Sequence, residues 1–347
     1  MTANLITDVA GVRVGSAHDA RLASGVTAVI FDEPAIASIA VHGGSSASRD
    51  TELLQPHMTV ERVDGFVLSG GSAFGLDAPG GAMAYLASRG RGYPVGAVRV
   101  PIVPGASLFD LTNGGVKAWG RMPPYWEMGF AAAAEATTHF DLGSVGAGFG
   151  ATTFDLKGGL GSASAVTEKG YRVAALVACN AVGRATRGDG PHFWAASYER
   201  NGEFGGLGLG TADTAAGDMG IKTSAHGFAA ASDALSLALK NDEPANTNLV
   251  IVVTDAALTK SQAKHFAIMA HDGLALALRP AHAPTDGDTV FAAATCAASG
   301  TPGLRDLTEI GMLGAECVAR SVARCVYEAT ALAVKGAQPS WRDLYGR

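Results

Sequence analysis

The stretch EPANTNLVIVVTDAAL, residues 243–258, changes abruptly from a polar segment to an apolar one. Asn246 and Thr247 end the polar segment, and the run from Leu249 to Val253 is apolar and rich in β-branched residues. A continuous apolar run of this length is typical of a strand that is buried on both faces. The stretch therefore predicts a loop that leads into a central strand, with Thr247 at the strand entry.

The same pattern recurs along the chain, with helical segments between the strands. Apolar runs with strand character cover residues 25–31, 37–42, 65–68, 98–103, 170–179, 249–254 and 289–295. Helical patterns cover residues 72–88, 259–278 and 306–334, the second with Thr259 as N-cap and the third with a capping-box-like start at Asp306. Strands with helices on their outer faces predict a layered α/β protein. No shift in composition marks a boundary, so we expect one domain over residues 1–347.

Composition and charge limit the classes of function. Of the 347 residues, 48% are hydrophobic and 17% are charged, which is enough apolar material for a large core. The net charge of −6 and the absence of a Lys/Arg run give no basis for binding nucleic acid or an anionic membrane. Four cysteines without a CxxC pair, and a start without a signal-peptide pattern, predict a cytoplasmic protein with reduced thiols.

Two glycine-rich segments resemble known motifs without matching them. Ser72 follows a strand-like run, as in the nucleophile elbow G-x-S-x-G, but Phe74 stands where the last glycine belongs. We expect a glycine-rich turn in which Ser72 caps a helix and which can still line a site. Residues 146–151 have the form G-x-G-x-x-A, but the residues after them are poor helix formers. A glycine-rich paired-strand region is therefore expected there.

Histidines and carboxylates are the residue types that could bind a metal or transfer a proton here. Nine histidines are scattered without an HExxH or Cys/His pattern, and His265 and His271 have a poor helical spacing for shared ligation, so no metal or other cofactor is expected. Asp286 and Asp288 precede a predicted strand. Two carboxylates at this spacing can share one site and split their pKa values, or they can simply form a polar turn.

Thr247 raises a chemical possibility that the local sequence leaves open. A threonine hydroxyl is a weak nucleophile unless a base is near. Cleavage of the bond before Thr247 would create an α-amino group whose ordinary pKa is about 7.7–8.0, so a useful fraction would be neutral at working pH. The short sequence Asn246–Thr247 also fits a threonine that only begins a strand.

Taken in order, segments spread over nearly the whole chain resemble the P1 family of N-terminal-nucleophile hydrolases. That family includes L-aminopeptidase/D-esterases, β-aminopeptidases and the nylon-oligomer hydrolases. The matching segments are DVAGVRVG at 8–15, GVTAV at 25–29, LSGGSAFGLDA at 68–78, PIVP at 101–104, FDL at 109–111, GAG at 146–148, KGGLGSAS at 157–164, NAVG at 180–183, NT at 246–247, VTD at 253–255 and DGDTVF at 286–291.

The resemblance implies a fold and a maturation route. The expected fold is a four-layer αββα sandwich. The expected precursor cuts itself between Asn246 and Thr247 into an α chain, residues 1–246, and a β chain, residues 247–347. Members commonly assemble as tetramers of the αβ unit, so a homo-oligomer is expected.

The resemblance also assigns roles to residues. It implies Thr247 as the nucleophile, Asn180 as a side-chain oxyanion donor and Lys157 as a cation near the nucleophile. Asp286 and Asp288 match the pair that orients the nucleophile in the nylon-oligomer branch.

The substrate pocket is expected to include Ser72 and Phe74. In the characterised aminopeptidase and nylon-oligomer branches a tyrosine occupies the place of Phe74, so the resemblance predicts a more apolar pocket end here.

The implied activity is hydrolysis of amide bonds in small peptides, β-peptides or related amide oligomers, as an aminopeptidase-like enzyme without a cofactor. Two alternatives stay open. One is a Thr-nucleophile acyltransferase, because the related ornithine acetyltransferases use similar chemistry. The other is a small-molecule-binding protein that has lost catalysis.

Overall fold

A computed structural model describes residues 3–210 and 246–346. Its strands are β1 (Val12–Asp19), β2 (Ser24–Val41), β3 (Ala47–Arg49), β4 (Arg62–Ser69), β5 (Tyr93–Val95), β6 (Val98–Val100), β7 (Gly105–Ser107), β8 (Gly159–Val166), β9 (Arg172–Asn180), β10 (Thr247–Thr254) and β11 (Thr289–Ala294). Its α-helices are α1 (Ala78–Ser88), α2 (Tyr125–Ala134), α3 (Lys260–Ala277), α4 (Leu304–Tyr327) and α5 (Trp341–Tyr345). Within these ranges no helix combines the length and the apolar character that crossing a membrane requires.

The long strand β2 connects two halves of one mixed sheet. Its first part pairs antiparallel with β1 and β4, and its second part pairs antiparallel with β11. The register shifts between Ile30 and Ala35, where the strand passes from one half to the other. The strand order is β3-β7-β4-β2-β11-β10-β9-β8, with β1 beside β2. The two predicted strands at 25–31 and 37–42 are therefore one strand.

Three apolar clusters fill the spaces between four layers. The first joins α1 and α2 to one half of the sheet, through residues such as Ala28, Leu86 and Met128. The second lies between the two halves and includes Phe66, Ile251 and Phe291. The third joins the other half to α3 and α4 and includes Val252, Phe266 and Val318. The layers follow the order helix, sheet, sheet, helix, which confirms the expected αββα sandwich.

Strand β10 is central, as its apolar run predicts. It pairs antiparallel with β9 and parallel with β11, and all of its residues are buried. Leu249, Ile251 and Val253 point into the space between the half-sheets, and Val250 and Val252 point toward the helices. Burial on both faces explains why the run is continuously apolar rather than alternating.

Helix α3 begins as predicted, and helix α4 does not. Thr259 caps α3, since its hydroxyl accepts a hydrogen bond from the backbone N–H of Gln262. The prediction of Asp306 as the cap of α4 is wrong, because Gly303 occupies that position and Asp306 accepts its N–H at 2.9 Å. The helix ends at Tyr327 rather than at 334, since Thr330 turns away to exchange hydrogen bonds with Ser144.

Three further predictions are corrected. The strand expected at 98–103 covers only Val98–Val100, in an exposed hairpin with β5. Ser72 does not cap a helix: it is the first residue of a 3-10 helix, Ser72–Asp77, and Gly71 is the cap. The segment Gly146–Gly148 is a 3-10 turn rather than a paired strand. A Cβ at Gly148 would lie 2.1 Å from the Leu160 nitrogen, so glycine allows this turn to lie directly on β8.

Candidate active site

Thr247 lies at the entry of β10, opposite the end of β9. The residue is 3% exposed and stands in antiparallel register with Asn180. The preceding residue, Asn246, pairs in parallel with Asp286, and its N–H donates to the Thr285 carbonyl at 3.1 Å. The Thr247 hydroxyl donates a hydrogen bond to the carbonyl oxygen of Asn246. The hydroxyl thus lies beside the peptide bond that precedes it.

Gly287 provides the space that the Thr247 hydroxyl occupies. A Cβ at this position would lie 2.3 Å from Thr247 Oγ1 and 3.1 Å from its methyl carbon. Contacts below 3.0 Å to a buried, hydrogen-bonded group force a displacement. A side chain at position 287 would therefore move the hydroxyl away from Asn246.

The carboxylate of Asp288 is fully buried and accepts hydrogen bonds from four donors. Its Oδ1 accepts the Asn248 side-chain amide at 2.7 Å and the Asn248 backbone N–H at 3.3 Å. Its Oδ2 accepts the His282 backbone N–H at 2.9 Å and the His282 Nδ1–H at 2.7 Å. Burial, the largest single influence, opposes ionisation, but the hydrogen bonds from His282 and Asn248 outweigh it and lower the pKa of Asp288 below its ordinary value of 3.8.

Asp286 has the opposite electrostatic state. Burial raises the pKa of Asp286 well above 3.8, and the negative charge of Asp288 raises it further. The N–H groups of Val182 at 3.3 Å and Gly287 at 3.0 Å oppose this shift only in part. The two pKa values are therefore shifted in opposite directions, and Asp288 gives up its proton before Asp286 does. Both aspartates are fully buried and lie beside each other, an arrangement that fits the interpretation in which the two carboxylates share one site.

The loop after β2 holds the backbone of the two aspartates in place through hydrogen bonds. The backbone N–H groups of His42 and Gly43 donate to the Asp288 carbonyl, and that of Ser45 donates to the Asp286 carbonyl at 2.8 Å. A Cβ at Gly43 would lie 2.3 Å from the Asp288 nitrogen. Glycine at this position therefore permits the two backbones to touch.

Asn180 is buried, and both ends of its side-chain amide form hydrogen bonds. Its oxygen accepts the Thr152 N–H at 3.0 Å, and its Nδ2 donates to the Phe109 carbonyl at 3.0 Å. These two contacts fix which end of the amide faces which neighbour. An amide nitrogen carries two N–H donors, so one contact leaves capacity for a second.

Lys157 lies one strand further from Thr247, at the start of β8. Its ammonium group is buried and donates to the carbonyls of Gly148, Ala151 and Gly158 at 2.7–2.9 Å. Its backbone pairs with Thr152, the residue that donates to Asn180. Lys157 thus orders the segment that positions the Asn180 amide.

Ser72 and Phe74 are linked to this site through Asp110. The N–H of Gly71 donates to Asp110 Oδ1 at 2.8 Å, and the neighbouring carbonyl of Phe109 accepts from Asn180. Burial raises the pKa of the Asp110 carboxyl. Ser72 has a φ of +52°, and the Phe74 ring is 48% exposed against Trp119.

Sequence reasoning missed several residues of the site. They are Gly287, Asn248, His282 and Asp110. Asn248 carried a weak signal, because a polar residue stands inside an apolar strand. His282 carried none, since its contact with Asp288 depends on a φ of +56° in a loop. Among the described residues, His282 also forms with His42 and His271 a group able to hold a metal ion.

Solved structures of similar fold support the described architecture. A β-aminopeptidase from Burkholderia sp. is 19% identical, with a TM-score of 0.65 over 98% of this chain and 91% of that one. An L-aminopeptidase D-Ala-esterase/amidase from Ochrobactrum anthropi, described as a variant of the Ntn hydrolase fold, is 17% identical, with a TM-score of 0.64 over 99% and 94%. At this identity the likeness concerns the fold, which is that of the Ntn hydrolase type.

Sequence comparisons then give the family. The model of peptidase family S58 matches residues 4–339. An uncharacterized aminopeptidase of Mycobacterium tuberculosis is 37% identical over 360 residues, covering 99% of this chain and 98% of that protein. One of Mycobacterium leprae is 35% identical, covering 95% and 92%. The chain belongs to peptidase family S58, a class of amide hydrolases, which confirms the resemblance stated above.

Proposed function

We propose that this protein is a self-processing aminopeptidase-type amidohydrolase with Thr247 as its nucleophile. The observation that carries the proposal is the contact between the Thr247 hydroxyl and the carbonyl group of Asn246, beside the Asp286–Asp288 pair. A nucleophile must lie close to the carbonyl group that it attacks, and the contact supports the proposal because it holds the hydroxyl beside that group.

In the processing step, Thr247 Oγ1 attacks the carbonyl carbon of Asn246. The hydroxyl proton is transferred to the Thr247 nitrogen, the C–N bond breaks, and an ester joins Asn246 to Thr247. Water then hydrolyses the ester. The products are an α chain of residues 1–246, ending in a carboxylate, and a β chain of residues 247–347, starting with a free amine. The ionised Asp288 steadies the strand entry through Asn248 while this exchange takes place.

In the mature enzyme, the Thr247 hydroxyl attacks a substrate amide and its own α-amine accepts the proton. A positioned base of this kind typically contributes about 10²–10⁴-fold to the rate. Asn180 is the residue proposed to donate a hydrogen bond to the oxyanion. It would use the second N–H of its side-chain amide, since the first donates to the Phe109 carbonyl. Lys157 contributes by ordering the backbone around Asn180 and by its positive charge.

The proposed substrates are small peptides, β-peptides and related amides with a free amino end. The names of the similar proteins, which include a β-aminopeptidase and an L-aminopeptidase, support this substrate class. Ser72 and the exposed Phe74 ring are proposed to line the pocket, and phenylalanine makes its end apolar.

Assembly into a homo-oligomer of αβ units is part of the proposal. The exposed β5–β6 hairpin supports it, since Tyr93, Val95 and Val98 are each more than half exposed. Apolar side chains of this size grouped on one surface are typical of protein interfaces.

The purified chain tests the proposal directly. We expect two bands on a denaturing gel, the smaller one beginning at Thr247, and hydrolysis of aminoacyl and β-aminoacyl amides. A Thr247→Ala chain should remain full-length and inactive, and Thr247→Ser should restore part of both activities. Hydrolysis by the uncut Thr247→Ala chain would refute the nucleophile assignment. Product analysis with an added amine separates hydrolysis from acyl transfer.

A further inference from the structure

Three histidines from distant parts of the chain converge next to Asp288. His42 follows β2, His271 lies in α3, and His282 lies in the loop before β11. The ring centroids are 3.8 Å apart for His42 and His271, 5.3 Å for His42 and His282, and 5.1 Å for His271 and His282. One ring nitrogen of each residue lies within 4.8 Å of the corresponding nitrogens of the other two.

His271 directs an unused lone pair into this cluster. Its Nε2 lies 3.0 Å from the Ala40 carbonyl oxygen, which can only accept, so Nε2 carries the ring proton. Its Nδ1 is then an unprotonated acceptor, and it is buried without a hydrogen-bond partner among the described residues. Buried polar atoms without a partner are rare and require an explanation. A bound cation would provide one.

His282 is oriented in the same manner. Its Nδ1 lies 2.7 Å from Asp288 Oδ2, an oxygen that also accepts the His282 backbone N–H, so Nδ1 donates its proton to this oxygen. The remaining nitrogen, Nε2, holds a lone pair in the neutral ring. Metal-binding histidines characteristically donate their second N–H to a backbone carbonyl or a carboxylate. His271 and His282 have these two partners.

We propose that His42, His271 and His282 bind a divalent transition-metal ion of the Zn²⁺ class. Three neutral imidazoles suit Zn²⁺, and a water molecule would complete a tetrahedral site. Metal–nitrogen bonds of about 2.0–2.1 Å require the three nitrogens to approach to roughly 3.4 Å of one another. His42 is exposed, so its ring can turn off the face of His271 to reach the shared point.

The charges around the cluster do not prevent this binding. Lys264, on the same face of α3, directs its ammonium to the Ile39 carbonyl. Asp272 lies close enough to His42 to act on its charge, and it partly balances Lys264. The buried carboxylate of Asp288 supplies a negative charge one ring away from the proposed ion.

The site connects to the aspartates of the candidate active site through one ring. An ion on His282 Nε2 would keep the Nδ1 proton directed at Asp288, which in turn holds Asn248 beside Thr247. Metal occupancy is therefore expected to stabilise the arrangement around Thr247. This consequence rests on the proposed function, whereas metal binding itself does not.

Cobalt titration of the full chain tests the site. Protein first dialysed against a chelator is titrated with Co²⁺ while the visible d–d bands are recorded, and Zn²⁺ is then added in competition. We expect one ion per chain, displaced by Zn²⁺. His42→Gln should weaken Co²⁺ binding by more than about 100-fold, since it removes a ligand, and Asp288→Asn by about 10–100-fold, since it removes a ligand's carboxylate partner.

The controls separate this site from surface binding and from catalysis. His265→Gln alters an exposed histidine on the same helix and should bind Co²⁺ as the unmodified chain does. Thr247→Ala should also bind Co²⁺ normally, so a failure of the proposed nucleophile leaves this test intact. His42 is exposed, so its variant decides the question even if His271→Gln fails to fold. No stoichiometric Co²⁺ binding, or equal affinity in the His42→Gln chain, would overturn the inference.

Discussion

Asp286 and Asp288 lie two residues apart in one buried site, yet their pKa values are shifted in opposite directions. Hydrogen bonds from four donors lower the pKa of Asp288, whereas burial and the neighbouring charge raise the pKa of Asp286. Both flank Gly287, where an added Cβ would lie 2.3 Å from the Thr247 hydroxyl, so two carboxyl groups of different acidity lie beside that hydroxyl.

Neutral replacements of the two aspartates should differ in effect. Asp286→Asn resembles the protonated acid, so we expect processing at a rate within a few-fold of the unmodified chain. Asp288→Asn replaces one of the two acceptor oxygens by an NH₂ group, so two of the four donors lose their acceptor, and it should slow processing strongly. It should also lower the free energy of unfolding by about 1–3 kcal/mol, measured by denaturant titration of uncut Thr247→Ala protein. The reverse order of effects would contradict the assigned charge states.

The pair also predicts how stability depends on pH. The Asp288 pKa is lowered, so its stabilisation is present above the ordinary value of 3.8 and is lost as pH falls through the lowered pKa. The Asp286 pKa is raised, so its contribution is full below 3.8 and is lost as pH rises through the raised pKa. Uncut Thr247→Ala protein should therefore lose stability at high pH relative to the same chain carrying Asp286→Asn. If the free energies of unfolding of the two chains differed by the same amount at every pH, a raised pKa of Asp286 would be excluded.

Gly287→Ala tests the steric requirement around the hydroxyl. The new Cβ would lie 2.3 Å from Thr247 Oγ1, so the hydroxyl must leave Asn246, and we expect the chain to stay uncut. Gly190→Ala is the matched control, because its Cβ meets nothing closer than 3.5 Å. Gel analysis over time distinguishes the two. Normal cutting of a folded Gly287→Ala chain would show that the contact is not required.

Phe74→Tyr tests the pocket assignment. The ring is 48% exposed, so an added hydroxyl needs no repacking and should leave processing unchanged. One new hydrogen bond to the substrate contributes about 0.5–1.5 kcal/mol, which corresponds to a change of up to about 10-fold in KM. Steady-state kinetics on amides of different polarity measure this change. If Phe74→Tyr and the unmodified chain had the same KM for every amide, Phe74 would not be part of the pocket.

The core elements were predictable from the sequence, whereas the roles of the candidate site residues were proposed only through the family resemblance. Strand β10 is buried on both faces, so its apolar run was a direct signal, and the cap of α3 at Thr259 follows a local rule. The bend within β2 was not predictable, because a shift at one bulge produces no periodic signal. The burial of Asp286 and Asp288 was also hidden, since polar residues before a strand usually form an exposed turn.

The histidine cluster illustrates what a linear pattern cannot contain. His42 and His271 are separated by more than two hundred residues in the chain. The pairing of β2 with β11 brings His42, which follows β2, close to His282 in the loop before β11. Ligand spacing motifs depend on residues that are close in the chain, so the expectation of no metal followed from the absence of such spacing. The geometry now supports the opposite hypothesis.

The most direct test of the central claim is the mass of the freshly purified full chain, measured by intact mass spectrometry with N-terminal sequencing. We predict two polypeptides, residues 1–246 and 247–347, with Thr247 as the new N-terminus, and a single uncut chain for Thr247→Ala. A new N-terminus at any other residue, or cleavage that persists in Thr247→Ala, would contradict this prediction.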